Sequence, residues 1–254
     1  MLNSMAIGRY YKAESKIHDM NPFAKLICII LFVALSMISN DIKLNLTISI
    51  IVILVMGLSH VPLRLYYKTI FGMRLLIIFI IIINFLIGAN YIEITLLVLR
   101  LITLVLYTSI LTLTTPPSEI AYGLEQLLSP LKIIKLPVSK LALSISLALR
   151  FIPTIIDQSN RILKAQASRG IDFQNSDIKG KLVAVKSLLL PMFVLSFKRA
   201  EDLGEAMEVR LYNIDKPRTN YRVNRWRFFD TYIVVMHLAM LTVVIARMII
   251  KWDI

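Results

Sequence analysis

The chain has 254 residues, of which 57% are hydrophobic and 18% charged, with a net charge of +13 and a mean hydropathy of +0.72. A soluble domain carries about 45–50% apolar and about 25% charged residues, so this composition, with its apolar residues gathered in long blocks, excludes an ordinary soluble domain and defines an integral membrane protein. Basic cytoplasmic loops account for the positive charge without invoking nucleic acid, and the single cysteine, Cys28, forms no internal disulfide.

Arg9, Lys12, Lys16 and Lys25 open the chain and predict a cytoplasmic N-terminus. No apolar core with a small-residue cleavage site marks a secretory signal there. Asn21-Pro22 reads as a helix N-cap followed by proline in the first turn. Apolar blocks follow at Leu26–Ser39, Leu44–Leu58, Ile70–Ala89 and Ile94–Leu113, with a last one at Phe228–Ile250. The first two are short for a span of about twenty residues; the first reaches further by using the turn from Pro22 onward. Asn40-Asp41 marks a tight turn between them, and Thr115-Pro116-Pro117 stops the fourth helix. Two polar residues stand out inside the blocks. Arg100 reads either as a functional site or, the favoured reading, as a side chain snorkelling to the headgroups. Asn84 reads as a helix–helix hydrogen bond.

Arg64, Lys68 and Arg74 flank the second and third blocks on one side, whereas the opposite turns carry only Asp41, Lys43 and Glu93. That asymmetry predicts the N-terminus inside and the C-terminus outside, in the cell (plasma) membrane. The expected fold is an all-α, multi-pass membrane protein with about five transmembrane helices plus amphipathic cytoplasmic coupling helices. Residues 1–115 form the N-terminal region with four spans, 116–227 a basic cytoplasmic coupling region, and 228–254 the C-terminal span.

The coupling region is greasy as well as basic. Leu141–Ile156 and Leu188–Phe197 are apolar but interrupted by polar residues and by Pro153 and Pro191. This suits interfacial or core helices better than spans, although a hairpin of two extra spans leaves the topology unchanged. Ile152, Ile155, Ile156, Ile162 and Leu163 make one helical stripe; Phe193, Phe197, Ala200, Leu203, Gly204 and Met207 make another. Ser144 with Ala148, and Ala200 with Gly204, set small residues one turn apart, which permits close crossing of helices. Plain core packing also explains the stripes. Asp172 to Gly180 forms a polar connector.

Both long helices end alike, in Ala165-Gln-Ala-Ser-Arg169-Gly170 and Ala206-Met-Glu-Val-Arg210-Leu211. Neither arginine has an acid three or four residues before it, where a local ion pair forms on a helix. Each can be a cap, a cation favoured by the negative end of the helix dipole, with Gly170 as the left-handed residue and Asp172 as a local partner of Arg169. The repetition favours a second reading, in which a partner supplies the acids and the two helices dock into it.

Catalytic signals are missing. There is no phosphate-binding Gly-x-x-x-x-Gly-Lys-Ser/Thr loop and no Gly-x-Ser-x-Gly elbow. His18, His60 and His237 lack metal-ligand spacing.

Four stretches carry a family resemblance. They are Ser15-Lys-Ile-His18 through Asn21-Pro22-Phe-Ala-Lys25-Leu26; Leu113-Thr-Thr-Pro-Pro-Ser-Glu119 through Gly123-Leu-Glu125 to Lys132; Leu147-Ala-Leu-Arg150-Phe-Ile-Pro153 through Ala167-Ser-Arg169-Gly170; and Glu205-Ala-Met-Glu-Val-Arg210. Together they resemble the transmembrane T component of energy-coupling factor transporters, which import vitamins and transition-metal ions. The resemblance implies a non-enzymatic adaptor that binds no cofactor or metal itself. ATP and Mg would belong to two ATP-binding-cassette subunits, docked at Ala167, Ser168, Arg169 and Gly170 and at Ala206, Glu208, Val209 and Arg210. Pro153, Ile156, Pro191, Phe197, Ala200 and Gly204 would form the helix crossing and a platform for a membrane-embedded substrate-binding S subunit. The lipid bilayer is the remaining partner, and nucleic acid is none. The family has Ala-Arg-Gly where this chain has Val209-Arg210-Leu211; loss of the glycine bears on the turn after the helix and spares the charged contact. A self-sufficient secondary transporter of a small metabolite is the alternative, and it would need ionisable or broken-helix sites near the membrane midplane.

Overall fold

The computed structural model describes residues 10–39, 41–130, 138–171, 177–213 and 225–252. Arg9, Asn40, Lys132 and residues 172–176, used in the sequence reading, lie outside them. The described residues form helices α1 (Pro22–Ile38), α2 (Ile42–Leu58), α3 (Leu63–Gly72), α4 (Arg74–Leu86), α5 (Tyr91–Thr114), α6 (Pro117–Leu128), α7 (Val138–Ser168), α8 (Ile178–Val209) and α9 (Phe228–Trp252), with no strand among them. They fall into two compact groups, one of α1–α6 and α9, the other of α7 and α8.

Local chemistry sets the helix ends. The Asn21 side chain accepts the Phe23 N–H at 2.9 Å ahead of Pro22, and Asp41 accepts the Lys43 N–H at 3.2 Å to start α2. Pro116 and Pro117 separate α5 from α6. The third apolar block departs from expectation. It is not one straight span: α3 and α4 meet at Met73 with a bend of 48°. Gly72 adjoins the break, and glycine is a recurrent cause of such kinks. Asn84 also departs, since its amide donates back to Ile80 O of its own helix at 2.9 Å. That intrahelical bond satisfies it without a neighbouring helix.

In the first group α1 is central and packs against α5, α6 and α9, while α2, α3 and α4 pack on α5. Phe32, Leu35, Val52, Tyr66 and Leu113 form the core. Phe32 stacks on Tyr107 with ring centroids 3.9 Å apart, and the Tyr107 hydroxyl meets His237 Nε2 at 2.7 Å. His237 Nδ1 lies 2.8 Å from the Ile233 carbonyl. A carbonyl only accepts, so Nδ1 carries the hydrogen and Nε2 accepts from tyrosine. Both polar groups are thereby paired, which a hydrocarbon setting demands. Gly123 marks a close helix approach: a Cβ there would sit 2.9 Å from Pro22 C and 3.0 Å from Phe23 N.

Three charged residues have roles that the sequence reading missed. Lys25 is buried, and its ammonium donates to Thr115 Oγ1 at 2.8 Å, the His18 carbonyl at 3.3 Å and the Thr114 carbonyl at 3.4 Å. It ties α1 to the α5–α6 junction and is not a free loop charge. The Arg100 guanidinium donates to the carbonyl of Ser39, the C-cap of α1, where the helix dipole favours a cation. Asn45 donates to the same carbonyl at 3.0 Å and to Ser39 Oγ at 2.9 Å. Asp230 is fully buried; it accepts the Asn21 N–H at 3.2 Å and the Arg227 N–H at 2.8 Å, so one carboxylate joins the starts of α1 and α9.

The segment before α1 is strapped to this group. Tyr11 N–H donates to Leu113 O at 2.8 Å, and His60 Nδ1 donates to Glu14 O at 3.1 Å. His18 Nε2 donates to Tyr11 O at 3.0 Å, leaving Nδ1 to accept from the Ser15 hydroxyl at 2.7 Å. Burial depresses the His18 pKa below its usual 6.5, partly offset by the Tyr11 carbonyl.

Candidate functional site

Helices α7 and α8 have 31 and 32 residues and carry Pro153 and Pro191 in their interiors. The prolines therefore do not end either helix. The stretches Lys140–Ser168 and Gly180–Val209 are long and apolar enough to cross a membrane. A polar contact joins the two helices: Arg199 Nη2 donates to Gln158 Oε1 at 3.0 Å, and the same guanidinium lies 5.9 Å from the Phe151 ring centroid. The expected crossing through small residues is corrected at Gly204. A Cβ on Gly204 would meet nothing within 4 Å, so no close approach of the chain's own helices depends on it. Arg199 and Gln158, neither of them in a stripe, make the contact there.

The sequence-predicted platform residues form a surface more than a core. Pro153, Phe197, Ala200 and Gly204 are exposed, and Ile156 and Pro191 are half-buried. Phe193 and Phe197, 66% and 63% exposed, meet edge to face with centroids 4.8 Å apart. Two large aromatic rings left open on one helix face are a patch with unspent contact area.

The two helix tips have the same backbone construction. After α7, the Gly170 N–H bonds to Ala167 O at 3.0 Å and the Ile171 N–H to Gln166 O at 3.1 Å. After α8, the Leu211 N–H bonds to Glu208 O at 2.8 Å and the Tyr212 N–H to Met207 O at 2.9 Å. Each is a complete Schellman turn, with its paired bonds from the two residues past the cap. The arginine sits at the same position in both, one residue before the left-handed residue. Gly170 fills that place in the first tip at φ +86°, and Leu211 fills it in the second at φ +56°. The turn thus survives loss of the glycine. A side chain in this region costs about 1–2 kcal/mol, and Leu211 carries that strain while 90% exposed. The sequence offers no signal for this, since leucine rarely adopts the conformation.

Both caps are built from backbone groups alone, so neither guanidinium is needed to make them. Ala167, Ser168, Arg169, Gly170, Ala206, Glu208, Val209 and Arg210 are all exposed, and among the described residues neither arginine has an ion-pair partner. A planar guanidinium held clear of the surface is suited to a bidentate carboxylate contact. Asp172, the alternative local partner, lies outside the described residues. Among the described residues no cluster of His, Cys, Asp or Glu forms a metal site.

These features define a class: a multi-pass, all-α membrane protein that presents two like-built arginine tips. Comparison with known proteins agrees. Residues 13–221 match the CbiQ family, described as cobalt transport protein. The energy-coupling factor transporter transmembrane protein EcfT of Bacillus subtilis (strain 168) is 38% identical over 251 residues, covering 92% of this chain and 95% of that protein. The proteins of the same name from Listeria innocua and Staphylococcus aureus are 36% and 34% identical, over 92% and 93% of this chain and 95% and 94% of theirs. The chain belongs to this family, as a transmembrane T component of energy-coupling factor transporters.

Proposed function

We propose that the chain is the energy-coupling subunit of an importer driven by two ATP-binding-cassette ATPases. Arg169 and Arg210 each enter one ATPase and meet carboxylates there. ATP binding draws the ATPases together and moves α7 and α8. The open face of α8 around Phe193 and Phe197 carries a membrane-embedded substrate-binding subunit, and a vitamin or other micronutrient is taken up. ATP and Mg act in the ATPases, and this chain is not itself an enzyme. The N-terminus lies in the cytoplasm and the chain in the cell membrane. The observation that carries this reading is the pair of identical turns with exposed guanidinium groups that the caps do not use. An apolar platform lacking fixed polar contacts accepts more than one partner shape.

The secondary-transporter reading has less support. Arg100, its ionisable candidate, is engaged at the end of α1. The cavity lined by Lys25, Cys28, Tyr107 and His237 is about 80 Å³, against about 300–1,000 Å³ for typical small-molecule sites, and a second one, of about 300 Å³, is lined by Lys16, Asp19, Arg227 and Asp230 at the starts of α1 and α9 and not at mid-helix.

Co-expression with ATPase and substrate-binding subunits, then purification through a tag on this chain, tests the proposal. The expected result is one complex whose uptake into proteoliposomes requires ATP. Substrate uptake by the purified chain alone, without ATP, overturns it.

A further inference from the structure

Helix α3 presents an outer face that the docking function does not use. Arg64, Tyr67, Lys68 and Phe71 are exposed on it, and Arg74 follows at the bend. The rings of Tyr67 and Phe71 stack with centroids 6.1 Å apart, and the Arg74 guanidinium lies 4.3 Å from the Phe71 centroid. Three cations and two aromatic rings therefore share one surface. No Asp or Glu occurs between Asp41 and Glu93, so the segment supplies no acid of its own to neutralise them.

The next helix has the opposite character. From Leu75 to Ile83 α4 is apolar on every side, and the helix has no buried residue. At 1.5 Å per residue its 13 residues extend about 20 Å. Were α3 to continue straight into hydrocarbon, Arg64 and Lys68 would be submerged at high cost. The 48° bend instead turns α3 out of the line of α4 and toward the membrane surface while α4 enters the hydrocarbon. Tyrosine and arginine at the junction suit the headgroup level.

We propose that the α3 face binds the phosphate of an anionic phospholipid in the leaflet it faces. Arg64 and Lys68 contact headgroup oxygens, Arg74 is held for the same purpose over the Phe71 ring, and Tyr67 and Phe71 pack on the upper acyl chain. A soluble anionic partner matches the cations and leaves the apolar surface of α4 uncovered. An apolar protein helix covers α4 and strands three charges. A monolayer of anionic lipid is charged at one level and apolar just beneath, in the same order as α3 and α4. The site rests on the inward orientation of the α2–α3 turn proposed above only for which leaflet it samples.

The full-length chain in neutral detergent, titrated with phosphatidylglycerol or phosphatidylcholine and read by native mass spectrometry, tests binding without regard to orientation or to the ATPases. Phosphatidylglycerol is expected to be retained preferentially. A cation near an anionic surface is worth roughly fivefold in affinity, and three about a hundredfold. R64Q and K68Q should each lose about fivefold and R64Q/K68Q/R74Q about a hundredfold, while R218Q/R222Q/R225Q, of equal charge loss, keeps the lipid. R64K/R74K keeps the preference because it keeps the charge, and holds the test open if the triple variant misfolds. Equal loss in both triple variants reduces the effect to bulk charge and overturns the site. So does equal retention of phosphatidylcholine. Glycerol phosphate that binds as tightly as the lipid assigns the cations to a free anion and overturns the lipid reading.

Discussion

Replacing both tip arginines by alanine separates docking from capping. Each cap consists of two backbone bonds, at 3.0 and 3.1 Å after α7 and at 2.8 and 2.9 Å after α8, and alanine leaves all four in place. The loss to each helix is then the dipole contribution alone, about 0.3–1 kcal/mol. A charged pair broken at a protein interface costs roughly 2–5 kcal/mol, and 2 kcal/mol already corresponds to about thirtyfold in Kd. Arg169→Ala or Arg210→Ala should therefore leave thermal unfolding nearly unchanged and weaken ATPase attachment at least tenfold. The double variant should detach the ATPases and abolish ATP-driven uptake. Lysine at either place should rescue partly, because it keeps the charge and loses the planar fork. The assay is ATPase binding to the immobilised chain, run beside thermal unfolding of the same samples. A double variant that co-purifies with full ATPase stoichiometry and transports normally refutes the docking role.

Other variants probe the packing and the turns. Leu211→Gly relieves the positive-φ strain and, after the greater unfolded-state freedom of glycine, should stabilise the α8 tip by about 0.5–1 kcal/mol; faster amide exchange at Tyr212 would contradict this. Gly123→Ala drives a Cβ into the α1 backbone and should cost about 1–3 kcal/mol, seen as a lower unfolding midpoint, with an unchanged midpoint disproving the close approach. Gly204→Leu extends into open space: folded yield should hold while uptake falls through loss of the substrate-binding subunit, and normal uptake would remove Gly204 from the platform. His18, with its pKa held below 6.5 by burial, takes up a proton in the unfolded state first. Its contribution is complete above about that value and is lost as pH falls through 6.5 toward the lower folded value. Wild type should lose more thermal stability than His18→Gln between pH 7.5 and 5.5, and equal losses would dismiss the linkage.

The apolar blocks were legible because a span must satisfy its backbone internally and cover itself with apolar side chains, a one-dimensional requirement. Asn21-Pro22 and Pro116-Pro117 were legible for a related reason, since caps and stops act within one turn. The paired arginines could be read from spacing alone, and their placement at equivalent points of two helix ends followed. Only the tertiary structure assigned the polar residues between the blocks. Lys25 and Arg100 were read as a loop charge and a snorkelling side chain, whereas both bond to backbone carbonyls far along the chain. Asp230 serves Asn21 from the other end of the sequence. Gly204 faces open space and Arg199 bonds Gln158 across the two long helices, a contact that glycine spacing cannot reveal. Leu211 in the left-handed region and the bend at Met73 are backbone choices that no pattern in the sequence announced. Composition and periodicity determine what a residue must avoid; which distant partner it finds is a property of three-dimensional proximity, and the bonds of Lys25, Arg100 and Asp230 were decided there.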